Sequence, residues 1–298
     1  MKTKSIFSNV RLSKALIGMS KTEFDALLPA FQKAWVTIHK AVPDRIRGFG
    51  GGKKGKLPTI EDKLAFILLY LKCYPTYDLL GFLTNRDRTR CCRSVQTLLP
   101  VLEMALGRNL VLPKRKISSP EEFFKLFPEA KEVFLDGTER RVEKPKSIKK
   151  RNKLYSGKKK TTTRKTVIAN DRHKRILIVT PTKSGRRHDK RIVDKNQLVQ
   201  NIPQEVAIWT DTGFQGIQKQ HDHVVMPAKA TKNKPLTYEQ KQENKLISSI
   251  RVISEHAIGG MKRFKAASDI YRNKLTNLDD TFTLLAAGLW NFHLQQTV

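Results

Sequence analysis

The stretch ISSIRVISEHAIGGMKRFK (residues 247–265) has the spacing of an amphipathic helix. At about 100° per residue, Arg251, Glu255 and Lys262 fall within roughly 60° of one another on one face. Val252 and Ile258 lie elsewhere on the helix and can seat it against a core. Glu255 is therefore a carboxylate flanked by two cations. A surface ion-pair ladder is the simpler interpretation, and a functional site around Glu255 is the alternative. The rest of the chain must decide between these two interpretations.

The composition predicts a polyanionic partner. The chain has 298 residues and a net charge of +31, from 58 Lys and Arg against 27 Asp and Glu, which favours DNA or RNA. This length is enough for two domains. No apolar run is long enough to span a membrane, and the basic N-terminus lacks the apolar segment of a secretory signal. Cys73, Cys91 and Cys92 form no spaced pair of pairs, which predicts neither a disulfide framework nor a zinc site and fits a reducing cytoplasm.

The N-terminal region is predicted to be helical. Residues 20–41 have apolar residues at helical spacing and open on a capping-box pair, Ser20 and Glu23. Residues 45–58 (RIRGFGGGKKGKLP) are rich in Gly and Lys, which is typical of a flexible basic linker. Such an arm either follows DNA phosphates or is simply solvated.

Residues 59–106 predict three helices with short breaks. The second (76–83) and the third (88–106) are joined by a turn at 84–87, and this is the outline of a helix-turn-helix. A three-helix bundle with a basic surface is the alternative. Base contacts usually come from the start of the second helix of such a motif. The candidate residues for these contacts are Arg86, Arg88, Arg90 and Arg93.

Beyond residue 130 the pattern changes to short apolar runs separated by turns. Strands are predicted over residues 132–137, 164–169, 175–180, 206–210 and 223–226, and helices over 185–200, 238–265 and 282–294. This order suits a mixed sheet with helices packed on it.

Two aspartates close predicted strands of that sheet. Asp136 ends EVFLD and Asp211 follows VAIWT, and strand ends lie at the rim of a sheet, where ligands bind. Together with Glu255 they make three carboxylates, and three carboxylates gathered there repel one another unless a cation lies between them. Hard cations such as Mg²⁺ (or Mn²⁺) prefer carboxylate oxygens, and two such ions support in-line displacement at phosphorus. We therefore assign Asp136 as a bridging ligand, Asp211 to one ion and Glu255 to the other. Each aspartate taken alone is also an ordinary turn residue.

Three segments resemble the catalytic blocks of DDE-type insertion-sequence transposases. They are FLDGTER (134–140), WTDTGFQG (209–216) and RVISEHAIGGMKRFK (251–265). The resemblance is strongest to the family numbered five, with its Harbinger-like transposase domain. Residues 57–83, 185–192 and 285–293 are similar to further blocks of that family.

That resemblance implies an α/β fold, in which a ribonuclease-H-like mixed sheet with flanking helices follows an all-α helix-turn-helix domain. The implied domains are 1–56 (helix and basic linker), 57–110 (DNA binding) and 130–298 (catalysis). The implied catalytic triad is Asp136, Asp211 and Glu255.

Related transposases carry a Tyr–Arg–Glu–Lys signature around the glutamate. Arg251, Glu255 and Lys262 match its last three members in spacing, whereas the tyrosine position falls on Ser248. The roles implied for Arg251 and Lys262 are contacts to DNA phosphate near the active site. The turn region LTNRDRTRCC (83–92) departs from the segment usual in relatives.

Other residues allow two interpretations. His188 and Asp189 either contact the metal ligands or the bound DNA, or Asp189 caps the following helix. Phe214 either stacks on an unpaired base or packs in the core. Residues 144–165 hold eleven Lys or Arg in 22 positions and are either a disordered loop or a phosphate contact. Within this segment the candidate phosphate contacts are Lys158, Lys159 and Lys160.

The function predicted from the sequence is that of a DNA transposase. It would cut and join strands at the terminal inverted repeats of an insertion sequence in double-stranded DNA, acting as a homodimer or larger assembly on the cytoplasmic nucleoid. The alternatives are a non-catalytic DNA-binding regulator, a metal-dependent nuclease without strand transfer, and an RNA-binding structural protein.

Overall fold

The computed structural model describes residues 3–40, 55–231, 235–275 and 277–297. Residues 45–54 of the predicted basic linker lie outside the described residues. The chain divides into two compact units that alternate along the sequence. The first comprises Met1–Leu112, Met261–Asp269 and Asn277–Val298, and the second comprises Pro113–Gly260 and Ile270–Thr276.

The helices and their first turns follow the sequence signals closely. In chain order the helices are α1 (Thr3–Ile6), α2 (Val10–Ile17), α3 (Lys21–Lys40), α4 (Ile60–Cys73), α5 (Tyr77–Thr84), α6 (Arg88–Arg108), α7 (Pro120–Leu126), α8 (Ile148–Leu154), α9 (Asp189–Lys195), α10 (Tyr238–Lys262), α11 (Lys265–Ser268) and α12 (Leu278–Gln295). The predicted capping box is confirmed, since Ser20 N donates to Glu23 Oε2 (2.6 Å) and Glu23 N donates to Ser20 Oγ (3.2 Å). None of the helices in the described ranges is long and apolar enough to cross a bilayer.

Within the first unit, α5 and α6 form the predicted pair of helices joined by a short turn. Asp87 caps α6, because its side chain accepts hydrogen bonds from Thr89 N and Arg90 N. Gly81 lets the turn close on α5, since a Cβ at that position would lie 2.6 Å from the carbonyl oxygen of Arg86. The two helices are thus present, and their use in DNA binding stays a prediction.

The C-terminal helix α12 also belongs to the first unit, whereas the domain limits predicted from the sequence grouped it with the sheet. Its apolar residues are buried on nearly every side, so it needs helices around it to remove that surface from water. Asn291 Nδ2 donates to Val111 O (2.9 Å), and His293 Nδ1 pairs with Glu23 Oε1 (2.5 Å). The hydrophobic pattern of α12 did not indicate which neighbours would bury it.

The second unit is built on a mixed sheet. In chain order the strands are β1 (Glu132–Arg141), β2 (Tyr155–Ser156), β3 (Thr161–Asn170), β4 (Ile176–Val179), β5 (Lys183–Ser184), β6 (Ala207–Trp209) and β7 (Val224–Val225). Strand β1 is central, since it pairs antiparallel with β3 and parallel with β6, while β7 continues the parallel side. Strands β2, β4 and β5 all pair antiparallel with β3. The mixed sheet with flanking helices is consistent with the predicted ribonuclease-H-like fold.

The two faces of this sheet carry different elements. Side chains at Val133, Leu135, Val167 and Ile208 share one face and form a buried core with Ile192 and Val193 of α9. On the other face Ser254 of α10 donates its hydroxyl to Asn170 Oδ1 at 2.8 Å, and both residues are buried. Because side chains alternate along a strand, Asp136 lies on the α10 face.

Several predicted boundaries were wrong. Strand β1 continues to Arg141, so Asp136 lies inside the strand and not at its end, because the polar residues after it pair with β3. Helix α9 is shorter than predicted, and a left-handed Gln197 (φ 52°) follows it. The basic segment 144–165 is not wholly loop, since Ser147 caps α8 and β2 follows that helix directly.

Candidate active site

Strand pairing brings Asp136 and Asp211 to neighbouring positions. In the parallel pair of β1 and β6, Phe134 lies opposite Trp209, and their rings stack at 6.1 Å between centroids. Each aspartate comes two residues after its member of that pair, on the same face. The two carboxylates are therefore adjacent at the end of β6, although 74 residues separate them in the sequence.

Each of these carboxylates is oriented by the glycine near it. Asp136 Oδ1 accepts a hydrogen bond from Gly137 N at 2.7 Å. Asp211 caps the short turn that follows β6, where its Oδ1 accepts from Gly213 N at 2.8 Å. In each case a backbone N–H fixes one carboxylate oxygen and leaves the other available to a ligand.

The environment of Asp136 opposes its ionisation. Burial, together with the negative charge of Asp211, raises the pKa of Asp136 to about 6. The Gly137 N–H and the charges of Arg251 and Lys158 act in the opposite direction and favour the ionised form. A carboxyl with a perturbed pKa in a cleft is characteristic of functional sites and of structural ion-pair networks alike, so the neighbouring groups must distinguish the two.

Helix α10 supplies a cation to the pair. Arg251 Nη2 lies 3.9 Å from Asp211 Oδ2, with both side chains about three-quarters buried (23% and 28% exposed). Glu255, one helical turn later on the same face, is exposed. Within the described ranges of the chain, no three His, Cys, Asp or Glu side chains come together closely enough to hold a metal ion. The structure thus brings together Asp136, Asp211 and Arg251, while Glu255 is not grouped with them and lies one helical turn beyond Arg251 on α10.

A buried ionic cluster lies under the opposite face of β1. Lys165 Nζ is 3.4 Å from Glu139 Oε1 and 3.3 Å from Asp189 Oδ1, and the lysine side chain is only 9% exposed. Thr163 donates its hydroxyl to Glu139 Oε2 at 2.7 Å. Gly137 makes room for this cluster, because a Cβ there would lie 2.8 Å from Asp189 Oδ1.

The pKa values of the two carboxylates in this cluster shift in opposite directions. Burial raises the pKa of Asp189, and the charges of Asp211 and Glu139 add to that effect, while Lys165 opposes it. For Glu139, burial also acts to raise the pKa, but hydrogen bonds from hydroxyls and from Lys165 outweigh it, so the pKa is lowered. Asp189 is therefore a further carboxylate close to Asp211, and it is held by a buried lysine.

The structure also locates His188 and Asp189 relative to α9. His188 is the N-terminal cap residue, and its side chain makes no capping hydrogen bond. Asp189 is the first residue of the helix and pairs with Lys165, so the interpretation of Asp189 as the helix cap is wrong. The contact of these two residues with the metal ligands or with bound DNA stays a prediction.

The lysines predicted to contact phosphate belong to both units. Lys158, Lys159 and Lys160 are exposed in the turn between β2 and β3, and Lys158 is close enough to favour ionisation of Asp136. Lys262 is the last residue of α10, is partly buried, and belongs to the first unit.

The four candidate arginines of the first unit are not equivalent. Arg86 Nη2 donates to Ser94 Oγ at 2.9 Å, and its guanidinium lies over the Phe66 ring at 5.4 Å. These contacts give Arg86 a structural role that the sequence did not reveal. The other three are exposed on the first turns of α6, namely Arg88, Arg90 and Arg93.

Sequence reasoning missed Lys165 and Glu139. They lie opposite each other in the β1–β3 register, and the sequence offered no signal for that pairing, because β1 was predicted to end before Glu139. Phe214 is fully buried in the core around α9, so the base-stacking interpretation of that residue is wrong.

Two comparisons with known proteins found matches to this chain. Residues 135–291, slightly more than half of the chain, match the family model of the DDE superfamily endonuclease, and the match includes Asp136, Asp211 and Glu255. The chain is 29% identical over 286 residues to the "Probable transposase for insertion sequence element IS702" of Microchaete diplosiphon, with 95% of each chain covered. No solved structure matches significantly. The chain therefore belongs to the DDE superfamily of endonucleases.

Proposed function

We propose that this protein is a DNA transposase that cuts and joins strands at the ends of an insertion sequence, and that within its superfamily it belongs to the family numbered five. The observation that carries the proposal is the adjacency of Asp136 and Asp211 beside Arg251. A net charge of +31 and the name of the IS702 relative support a DNA substrate. We also propose that it acts in the cytoplasm, on nucleoid DNA.

The donor chemistry of the site suits Mg²⁺ or Mn²⁺. Asp136 and Asp211 offer hard oxygen ligands, and the pKa of Asp136 is raised by burial and by the negative charge of Asp211, both of which a bound cation would offset. In this proposal Asp136, Asp211 and Glu255 would hold the metal ions. When bound, the ions supply activation of the attacking oxygen and stabilisation of the leaving oxygen at phosphorus.

The residues of the chain have separate tasks in this proposal. The N–H groups of Gly137 and Gly213 hold one oxygen of each aspartate, so the carboxylates are oriented before a ligand arrives. Arg251 and Lys158 contact the phosphates next to the bond that is cut, and their positive charge offsets the negative charge of the DNA backbone. Water attacks first, and the 3′-hydroxyl so exposed attacks the target strand, without a covalent protein–DNA intermediate.

Binding of the terminal inverted repeats is assigned to the first unit. The exposed Arg88, Arg90 and Arg93 at the start of α6 are proposed to contact DNA there, and Lys262 is proposed to contact phosphate. Joining two ends requires both to be held at once, so we propose a homodimer or a larger assembly on DNA. Arg86 is left out of this surface because of its contacts to Ser94 and Phe66.

The test is a cleavage assay on labelled DNA that carries the ends of the insertion sequence, with Mg²⁺ and with EDTA. The wild-type protein is compared with Glu255→Ala and with Glu243→Ala, a control on the exposed surface of the same helix. We expect Mg²⁺-dependent cutting at the element ends by the wild type and the control, and none by Glu255→Ala. DNA binding should be equal in all three proteins.

Each other outcome has a definite meaning. A wild-type protein that binds the ends and never cuts them supports a non-catalytic regulator. Cutting without joined product, when target DNA is supplied, supports a nuclease. Equal cutting by Glu255→Ala would show that Glu255 is not the third carboxylate.

A further inference from the structure

The carboxylate of Asp189 lies against the two backbone segments that orient Asp136 and Asp211. A Cβ at Gly137 would lie 2.8 Å from Asp189 Oδ1, and a Cβ at Gly213 would lie 3.8 Å from Asp189 Oδ2. Gly137 N donates to Asp136 Oδ1 at 2.7 Å. Gly213 N donates to Asp211 Oδ1 at 2.8 Å. Each oxygen of Asp189 therefore packs against a glycine whose N–H group fixes one of the two aspartates.

The strands of the sheet hold Asp189 in this position. Its Oδ1 lies 3.3 Å from Lys165 Nζ, and the lysine side chain is only 9% exposed. Lys165 lies opposite Glu139 in the β1–β3 register and pairs with its carboxylate at 3.4 Å. Moving a lysine buried between two carboxylates leaves buried charges without partners, which is costly. The place of Asp189 is therefore set by β1 and β3 as well as by its own helix.

The surroundings of Asp189 disfavour a direct contact with either ligand of the proposed reaction. A carboxylate repels the phosphates of DNA, since both carry negative charge. The ammonium group of Lys165, which pairs with Asp189, repels a metal cation for the same reason. A role exerted through the neighbouring glycines meets neither objection, because it requires only that the carboxylate fill the space between them.

We infer that Asp189 is a positioning residue, which sets the separation of the Asp136 and Asp211 carboxylates by packing against Gly137 and Gly213. If this side chain is shortened, either glycine segment can move into the space that it leaves. Each N–H group then carries its aspartate with it. The inference rests on the proposed function, because the separation matters only if the two aspartates hold metal ions.

Two conservative variants separate the shape of this side chain from its charge. Asp189→Asn keeps the shape and an oxygen that accepts from Lys165, but it loses the negative charge. Asp189→Glu keeps the charge, but it adds a methylene group beside Gly137, where the carboxylate leaves no room for even a Cβ. Positioning by packing predicts that the asparagine variant functions better than the glutamate variant. A metal ligand or a purely electrostatic role predicts the reverse order.

The experiment measures two properties of the full-length protein. Mn²⁺ affinity is followed by electron paramagnetic resonance without DNA, and Asp136→Ala identifies the part of the signal that belongs to the site. Single-turnover cutting of element-end DNA is measured at saturating protein. We expect Asp189→Glu and Asp189→Ala to lower both by about 10- to 100-fold, and Asp189→Asn to keep most of both. DNA affinity should be unchanged throughout.

The matched control is Asp194→Ala. Asp194 also lies on α9 and pairs with a lysine, since its Oδ2 is 2.7 Å from Lys190 Nζ, but this pair is partly exposed. The control should bind Mn²⁺ and cut DNA as the wild type does. The order of Asp189→Asn and Asp189→Glu decides the question even if Asp189→Ala does not fold.

Three results overturn the inference. The first is an Asp189→Glu variant that binds Mn²⁺ and cuts DNA as well as Asp189→Asn or better. The second is weaker DNA binding by Asp189→Asn, which indicates a contact with DNA. The third is a lower Tm in both variants with Mn²⁺ affinity and cutting unchanged, since the ion pair then only stabilises the fold. If the wild type cuts the element ends in these cases, the proposed function stands. If the wild type neither binds Mn²⁺ at the site nor cuts, the proposed function fails and the inference fails with it.

Discussion

Asp136→Asn is expected to stabilise the protein at neutral pH while it abolishes metal-dependent cleavage. The pKa of Asp136 is raised from 3.8 to about 6, chiefly by burial. A carboxyl with a higher pKa in the folded chain binds its proton more tightly when folded. Ionised Asp136 therefore lowers the free energy of unfolding progressively above about pH 4, and by the full amount above about pH 6. Asparagine carries no charge, and its Oδ1 can still accept from Gly137 N.

The size of the effect follows from the two pKa values. The difference between 3.8 and about 6, at about 1.4 kcal/mol per pH unit, gives about 3 kcal/mol as an upper limit. Partial exposure of the side chain reduces this effect, so we expect the free energy of unfolding to rise by about 1–3 kcal/mol. For a protein of this size that corresponds to a rise of about 3–8 °C in Tm.

The assay is thermal unfolding in EDTA at about pH 8 and about pH 4, followed by circular dichroism. The gain should be present at the higher pH and mostly lost at the lower, where Asp136 is protonated in the folded chain and about half protonated in the unfolded chain. Asp222→Asn, at an exposed aspartate of the same unit, is the control and should change Tm little. Added Mg²⁺ should then stabilise the wild type more than Asp136→Asn. A variant that is no more stable than wild type at pH 8, or equally stabilised at both pH values, would refute the reasoning.

Three further predictions follow from the same contacts. Lys165→Met leaves two buried carboxylates without their partner and should cost about 3–5 kcal/mol in urea unfolding, whereas Lys183→Met, on the strand paired beside it, should cost less than about 1 kcal/mol. Gly137→Ala introduces a Cβ 2.8 Å from Asp189 Oδ1 and should lower the cleavage rate about 10- to 100-fold without changing DNA affinity; an unchanged rate contradicts it. Alanine at each exposed arginine of α6 should weaken binding of the terminal repeat in fluorescence anisotropy, while Arg86→Ala should chiefly lower Tm.

The prediction of local structure from sequence succeeded where the signal was itself local. The capping box at Ser20 and the helices on either side of the turn before Arg88 depend on side chains within a few residues of one another, and both are present. The boundary of β1 was wrong because its polar half, up to Arg141, is held by pairing with β3. That pairing partner lies more than twenty residues away, and nothing in the local pattern of β1 indicates it.

For the candidate site, too, local sequence signals indicated the residues but not their arrangement in space. Asp136, Asp211 and Glu255 were selected from their residue types, their flanking patterns and a resemblance to known blocks, and the family match spans all three. Their spatial relation was not given by those signals. The opposition of Phe134 and Trp209 makes the two aspartates neighbours, and the packing of Ser254 on Asn170 places Arg251 beside them.

By itself, the sequence determined the basic charge, most of the helices and strands, and the three carboxylates in family-like blocks. Only the tertiary structure decided that Lys165 holds Glu139 and Asp189 under β1, that Phe214 is buried, and that α12 packs with the N-terminal helices. The physical reason is that propensity, capping and periodicity act over a few residues. Strand register and burial depend instead on contacts between residues far apart in the chain, and those contacts exist only once it has folded.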